Sequence, residues 1–206
     1  HAPTLAPEFN CFNYLYPDEN RLSNVLAKLL DPNGGHGQGA QFLKLFLEEI
    51  GKEYADKGPL KSIIELSGDD LKNCVATPEV EVQTSYIKSD QRRIDILIHF
   101  SASGPKGFGL AIENKPWAID QPNQIKDYNE HLEKQYGENN YTQIYLSGSG
   151  EPPEAASISE EDRQKLEEQG VFHIFTYSEL HDWCSRCVEK CQSHRLRCFL
   201  EDFASY

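Results

Sequence analysis

The chain has 206 residues, with 20 Lys+Arg against 33 Asp+Glu, a formal charge of −13. That length buries a substantial core. Aromatic and branched residues recur throughout and exclude a disordered chain; no apolar run approaches the roughly 20 residues that span a bilayer, and no fixed repeat period is present.

The sequence starts at His1 and contains no Met. Residues 1–7 are therefore expected to be an expression remnant or a disordered, truncated start, with a single domain over 8–206, and no cleavable signal is read there. Asp18 is the expected N-cap of a helix over Glu19–Asp31, with Leu22, Val25, Leu26, Leu29 and Leu30 on one stripe and Pro32 ending it. A glycine-rich loop over 33–39 contains His36, read as a turn residue rather than a substrate contact. A second helix buries Phe42, Leu43, Phe46, Leu47 and Ile50.

From Glu79 the apolar period changes to two. Strands are predicted over Glu79–Tyr86, Arg93–Phe100 and Phe108–Lys115, with Ser101–Gly107 as the loop between the last two. A helix follows from about Asp120 to Tyr136, then a strand over Tyr141–Ser147, a Gly/Pro linker over Gly148–Ala156, and an acidic helix over Ser159–Gln169. A strand over Val171–Thr176 leads to one long final helix capped by Ser178. This order predicts an α/β fold with a central mixed sheet and helices on both faces.

Cys184, Cys187, Cys191 and Cys198 share that final segment with His194. Their spacing describes one helical stripe, so they are read as core residues in a reducing, cytoplasmic protein. The rival is half a zinc site in an interaction domain.

The two middle strands carry the chemistry. An antiparallel hairpin that sets Phe100 against Phe108, Ile98 against Leu110 and Ile96 against Ile112 also sets Asp95 against Glu113. Directly opposed residues have Cβ atoms about 4.5–5.5 Å apart. Two carboxylates that close repel unless one is protonated or a cation lies between them. Lys115 is two residues beyond Glu113 on the same face, which Gly109 and Ala111 leave uncrowded. Acids with a neighbouring ammonium suit Mg²⁺, with Mn²⁺ as the alternative, because a hard cation takes oxygen ligands and works with phosphates. On the first strand, Glu81 reaches the same face if Val80 pairs with Ile98 and Val82 with Ile96, but it is read as a residue of a solvated strand face rather than as part of the site.

Ile94-Asp95, a 17-residue spacer and Glu113-Asn114-Lys115 resemble the signature of the PD-(D/E)XK nucleases, with Ile94 in place of the proline. Glu19 on the first helix and Gln124-Ile-Lys-Asp-Tyr128 after the lysine match further elements of that superfamily. The opening Glu19…Ser23…Leu29-Leu30-Asp31-Pro32…His36-Gly37 is similar to a subfamily of small prokaryotic and phage proteins. The resemblance implies a restriction-endonuclease-like α/β/α fold and metal-dependent hydrolysis of phosphodiesters, with DNA the expected partner. It implies that Asp95, Glu113 and the Asn114 main-chain carbonyl hold the metal, with Glu19 contributing directly or through water. Lys115 would orient or help deprotonate the attacking water, and Gln124 and Tyr128 would shape the site or touch substrate. Arg92, Arg93, Lys88 and Lys106 are candidate phosphate contacts. No membrane partner is expected, and oligomeric state is open, a dimer included. The alternative is an inactive member of the fold that binds nucleic acid or protein.

Overall fold

The computed structural model describes residues 9–54, 56, 58–83, 92–101, 107–117 and 119–206. In chain order the described elements are α1 (Phe12–Leu15), α2 (Glu19–Leu30), α3 (Gln41–Tyr54), a 3₁₀ turn (Gly58–Leu60), α4 (Lys61–Ile64), α5 (Gly68–Leu71), β1 (Val75–Glu81), β2 (Arg93–Phe100) and β3 (Phe108–Lys115). There follow α6 (Gln124–Tyr136), β4 (Tyr141–Ser147), α7 (Glu160–Glu168), β5 (Phe172–Thr176), α8 (Tyr177–Lys190) and α9 (His194–Ala204).

The strands form one sheet in the order β1-β2-β3-β4-β5. β1, β2 and β3 run antiparallel, and β3, β4 and β5 run parallel. One face packs Ile96, Ile98, Leu110, Ile112 and Leu146 against α2, α3 and α8. The other packs Leu97, Ala111, Tyr141 and Tyr145 against Ile125, Tyr128, Leu132 and Tyr136 of α6. The result is the expected α/β architecture of a restriction-endonuclease-like fold, with helices on both sides of a mixed sheet.

Local chemistry explains most boundaries. The Asp18 side chain accepts the Arg21 N–H at 2.9 Å and starts α2. Pro78 is tolerated in β1 because that strand lies at the sheet edge. His36 accepts the Gln38 N–H at 3.0 Å on Nδ1 while Nε2 lies 2.9 Å from the Asp31 carbonyl, so it holds the turn, as expected.

Five features differ from the sequence reading. First, β1 begins at Val75, and Ala76 rather than Val80 pairs with Ile98; residues 84–86 of the predicted strand lie outside the described residues. A shift of four keeps every side chain on its face, so alternation alone does not separate the two registers. Second, α6 begins at Gln124, because the Asp120 carboxylate is taken by the Tyr145 hydroxyl and, at 2.7 Å, by the Glu154 N–H. Third, a capping box between Thr176 and Glu179, not Ser178, starts α8. Fourth, the final helix is two: Cys191 is extended, Ser193 caps α9, and α9 folds back on α8. Fifth, α1, the 3₁₀ turn, α4 and α5 are short elements with no periodic signal of their own.

Candidate metal centre

The hairpin register holds for all five pairs from Phe100–Phe108 to Ile96–Ile112, and the ladder stops there, one step short of the acids. Asp95 and Glu113 are therefore not a paired rung. Instead Asp95 Oδ2 accepts the main-chain N–H of Asn114 at 2.8 Å. The carboxylate takes the place of a backbone acceptor, and the two strands part around it. A strand residue directs its N–H and C=O to the same edge, so the Asn114 carbonyl also faces β2. The Asn114 side chain turns to the other face, donating to Ser23 Oγ at 3.0 Å and accepting from the Tyr177 hydroxyl at 2.7 Å.

Where the strands part, the start of α2 arrives from one face of the sheet and α6 from the other. They close a cavity of about 440 Å³ lined by Glu19, Asp95, Glu113, Lys115, Gln124 and Tyr128. One carboxylate oxygen from each of Glu19, Asp95 and Glu113 lies within 4.8 Å of the others, and this is the one such cluster of metal-capable side chains among the described residues. The Lys115 ammonium contacts Glu113 Oε1 at 2.7 Å and Glu19 Oε1 at 2.8 Å. Gln124 Nε2 donates to Glu113 Oε1 at 2.5 Å and to the Tyr128 hydroxyl at 3.0 Å, and that hydroxyl donates to the Arg93 carbonyl. Glu19, Asp95, Glu113, Asn114, Lys115, Gln124 and Tyr128 thus meet at one end of the sheet.

The electrostatics are those of too many buried acids. Burial, reinforced by Glu19 and Glu79, pushes the Asp95 carboxyl up to about 7 against the pull of the Asn114 N–H and Lys115. Burial and then Asp95 raise Glu113 well above the carboxylate range. Burial works against the charge of Lys115, but Glu113 and Glu19 outweigh it and hold the ammonium above its ordinary range. Burial also raises the Tyr128 hydroxyl, with Glu113 beside it adding to the effect. Glu113 Oε2 is buried with no hydrogen-bond partner. An orphaned carboxylate oxygen within an oxygen-only cluster is what a hard divalent cation would satisfy, so the residues present fit such an ion.

Glu81 is exposed, as its reading as a solvated strand residue expects, and pairs with Arg93 in the ladder. Other expectations need correcting. Glu79, two residues before Glu81, lines the cavity. Glu79 has φ 55°, a left-handed backbone that costs a non-glycine residue on the order of 1 kcal/mol or more. The sequence reading missed it because the β1 register was placed four residues away. Arg92 is ion-paired with Asp127 and donates to the Pro122 carbonyl at 2.8 Å, so it is engaged within the fold. Arg93 lines the cavity with Glu79 Oε2 at 3.7 Å. Lys88 and Lys106 lie outside the described residues. The face that Gly109 was expected to leave open is filled: a Cβ there would meet the Tyr136 ring at 2.3 Å. Cys184, Cys187 and Cys191 are buried in the hydrophobic core and Cys198 is exposed on α9, and no cluster of three or more metal-capable side chains among the described residues includes them.

The family model described as the PD-(D/E)XK nuclease superfamily matches residues 9–205. Searches of curated proteins and of solved structures each found no match.

Proposed function

The chain belongs to the PD-(D/E)XK nuclease superfamily, and from that membership and the site geometry we propose that it is a divalent-metal-dependent phosphodiesterase acting on nucleic acid, DNA in the first instance. The observation that carries the proposal is the convergence of Glu19, Asp95 and Glu113 oxygens within 4.8 Å, with Lys115 in contact with two of the three. Superfamily members use divalent metals; here Asp95, Glu113, the Asn114 carbonyl and Glu19 would hold Mg²⁺ or Mn²⁺, which supplies charge neutralisation at the phosphate and a more acidic water.

The protein's own groups do the rest. Lys115 keeps its proton at neutral pH, since its carboxylate partners hold its pKa above the ordinary lysine range. In that protonated state it donates hydrogen bonds to the attacking water and to a phosphate oxygen. Gln124 fixes the Glu113 carboxylate in one orientation, and Tyr128 fixes Gln124. Asp95 is held by the Asn114 N–H, so its second oxygen is aimed rather than free to rotate. Completeness of this set weighs against a purely structural, non-catalytic member of the fold.

The test is cleavage of plasmid, single-stranded DNA and RNA with Mg²⁺ or Mn²⁺, with and without EDTA. Wild type is expected to cleave at least one of them only with metal, and Lys115→Ala, Asp95→Ala and Glu113→Ala to be inactive while folded by circular dichroism. Cleavage that survives EDTA or all three substitutions overturns the proposal.

A further inference from the structure

β3 ends at Lys115, and the chain continues through Pro116 to Trp117, which is 64 % exposed although it follows two residues that are largely covered. Trp117 and Pro116 form one side of a second cavity, of about 230 Å³, whose lining includes Tyr177, His181, Phe203 and Tyr206. This cavity has more apolar than polar character, the reverse of the acid cavity. The two are joined structurally. Lys115 and Trp117 are separated by one residue, Tyr177 bonds the Asn114 side chain at 2.7 Å, and Leu22 in its lining lies one helical turn from Glu19.

We infer that this aromatic cavity receives an unpaired nucleobase next to the phosphate being cleaved, so that the substrate is a single strand or a frayed or flipped nucleotide rather than intact duplex. The inference rests on the nuclease reading and specifies its substrate. Three observations carry it. Flat aromatic side chains at a cavity mouth present faces on which any base stacks. The cavity is joined to the proposed reacting centre around the end of β3, by Lys115-Pro116-Trp117 on one side and by Leu22 and Glu19 of α2 on the other. The charge on the chain is −13; Arg93, which lines the acid cavity, faces Glu79, and its neighbour Arg92 is paired with Asp127. Among the described residues at the acid cavity, free cations for backbone attraction, the usual source of affinity for duplex, are thus scarce, whereas stacking needs no charge.

The chain has two tryptophans, and Trp183 is fully buried, so quenching of the exposed fluorescence reports Trp117. The experiment uses Lys115→Ala protein with Mg²⁺, to bind without turnover, titrated with oligodeoxythymidylate and with the same strand annealed to its complement. The single strand is expected to quench and the blunt duplex not to. On the same background Trp117→Ala is expected to bind the labelled single strand about 10-fold more weakly by anisotropy, and Trp117→Phe within about threefold of the parent. Equal quenching by strand and duplex, or undiminished binding by Trp117→Ala, overturns the inference. If wild type cleaves DNA without strand-selective quenching, only this inference falls. If the quenching appears and no condition supports cleavage, the base pocket stands and the nuclease reading falls.

Discussion

Lys115 Nζ donates to Glu19 Oε1 at 2.8 Å, tying the end of β3 to the first turn of α2 across 96 positions of sequence. The same ammonium reaches Glu113 at 2.7 Å. Lys115 therefore serves as the counter-ion of two acids, and a divalent cation entering the cluster must share those acids with it.

Glu19→Gln follows from that relationship. The amide keeps a hydrogen bond to Lys115 through its oxygen but removes one anionic ligand. We expect the metal concentration for half-maximal cleavage to rise about 10-fold, with the maximal rate largely recovered at high Mg²⁺. A metal titration of the initial rate checks this; an unchanged midpoint would remove Glu19 from the metal site.

The raised carboxyl of Asp95 makes stability depend on pH. Its folded pKa of about 7 exceeds the ordinary value of 3.8, so the contribution is fully present below that ordinary value and is lost as pH rises through 7. Above pH 7 ionisation costs the metal-free fold on the order of 4 kcal/mol. His131, whose pKa burial lowers, acts in the opposite direction, so the informative quantity is a difference between proteins. Asp95→Asn keeps an acceptor for the Asn114 N–H and cannot ionise. In EDTA it should melt above wild type at pH 8, by a smaller margin at pH 5, and level with it only below the ordinary value of 3.8. Added Mg²⁺ should raise the wild-type melting temperature more at pH 8 than at pH 5. Differential scanning fluorimetry measures all of these.

Gln124 is expected to act by positioning, since its amide donates to the Glu113 carboxylate. Gln124→Ala should lower kcat about 10- to 100-fold with little change in melting temperature. Tyr128→Phe removes a buried hydroxyl bonded to the Arg93 carbonyl and to Gln124, and should cost about 1 kcal/mol of stability as well as some activity. A denaturant series beside steady-state kinetics separates the two effects.

The cysteines make a prediction about accessibility. Burial pushes the Cys184 thiol up to about 12 and raises Cys187 as well. Iodoacetamide should label Cys198 and Cys11 in the native protein, and Cys74, Cys184, Cys187 and Cys191 only after unfolding. Mass spectrometry reads the pattern directly. Rapid native labelling of Cys184 or Cys187 would contradict their place in the core.

The hairpin register was legible in the residues because three apolar pairs, Phe100–Phe108, Ile98–Leu110 and Ile96–Ile112, constrain it at once. The α2 stripe and its Asp18 cap were legible for a similar reason, being local chemistry repeated over several turns. The acids, the lysine and the helix glutamate were likewise recoverable, since their order along the chain survives without coordinates. Glu79 was not, because a period of two accepts the β1 register shifted by four as readily as the real one. The break at Cys191 was missed because the apolar spacing of α8 and α9 continues across it.

Alternation and capping, written in the residues themselves, determined which strands and helices would exist and which faces they would bury. Tertiary packing alone decided that β2 and β3 part at Asp95, that Glu19 and Gln124 enter the gap from opposite sides of the sheet, and that Trp117 stands open beside it. Such arrangements depend on contacts between segments far apart in the chain. No local periodicity encodes them, because their energies arise only once the sheet has brought those segments together.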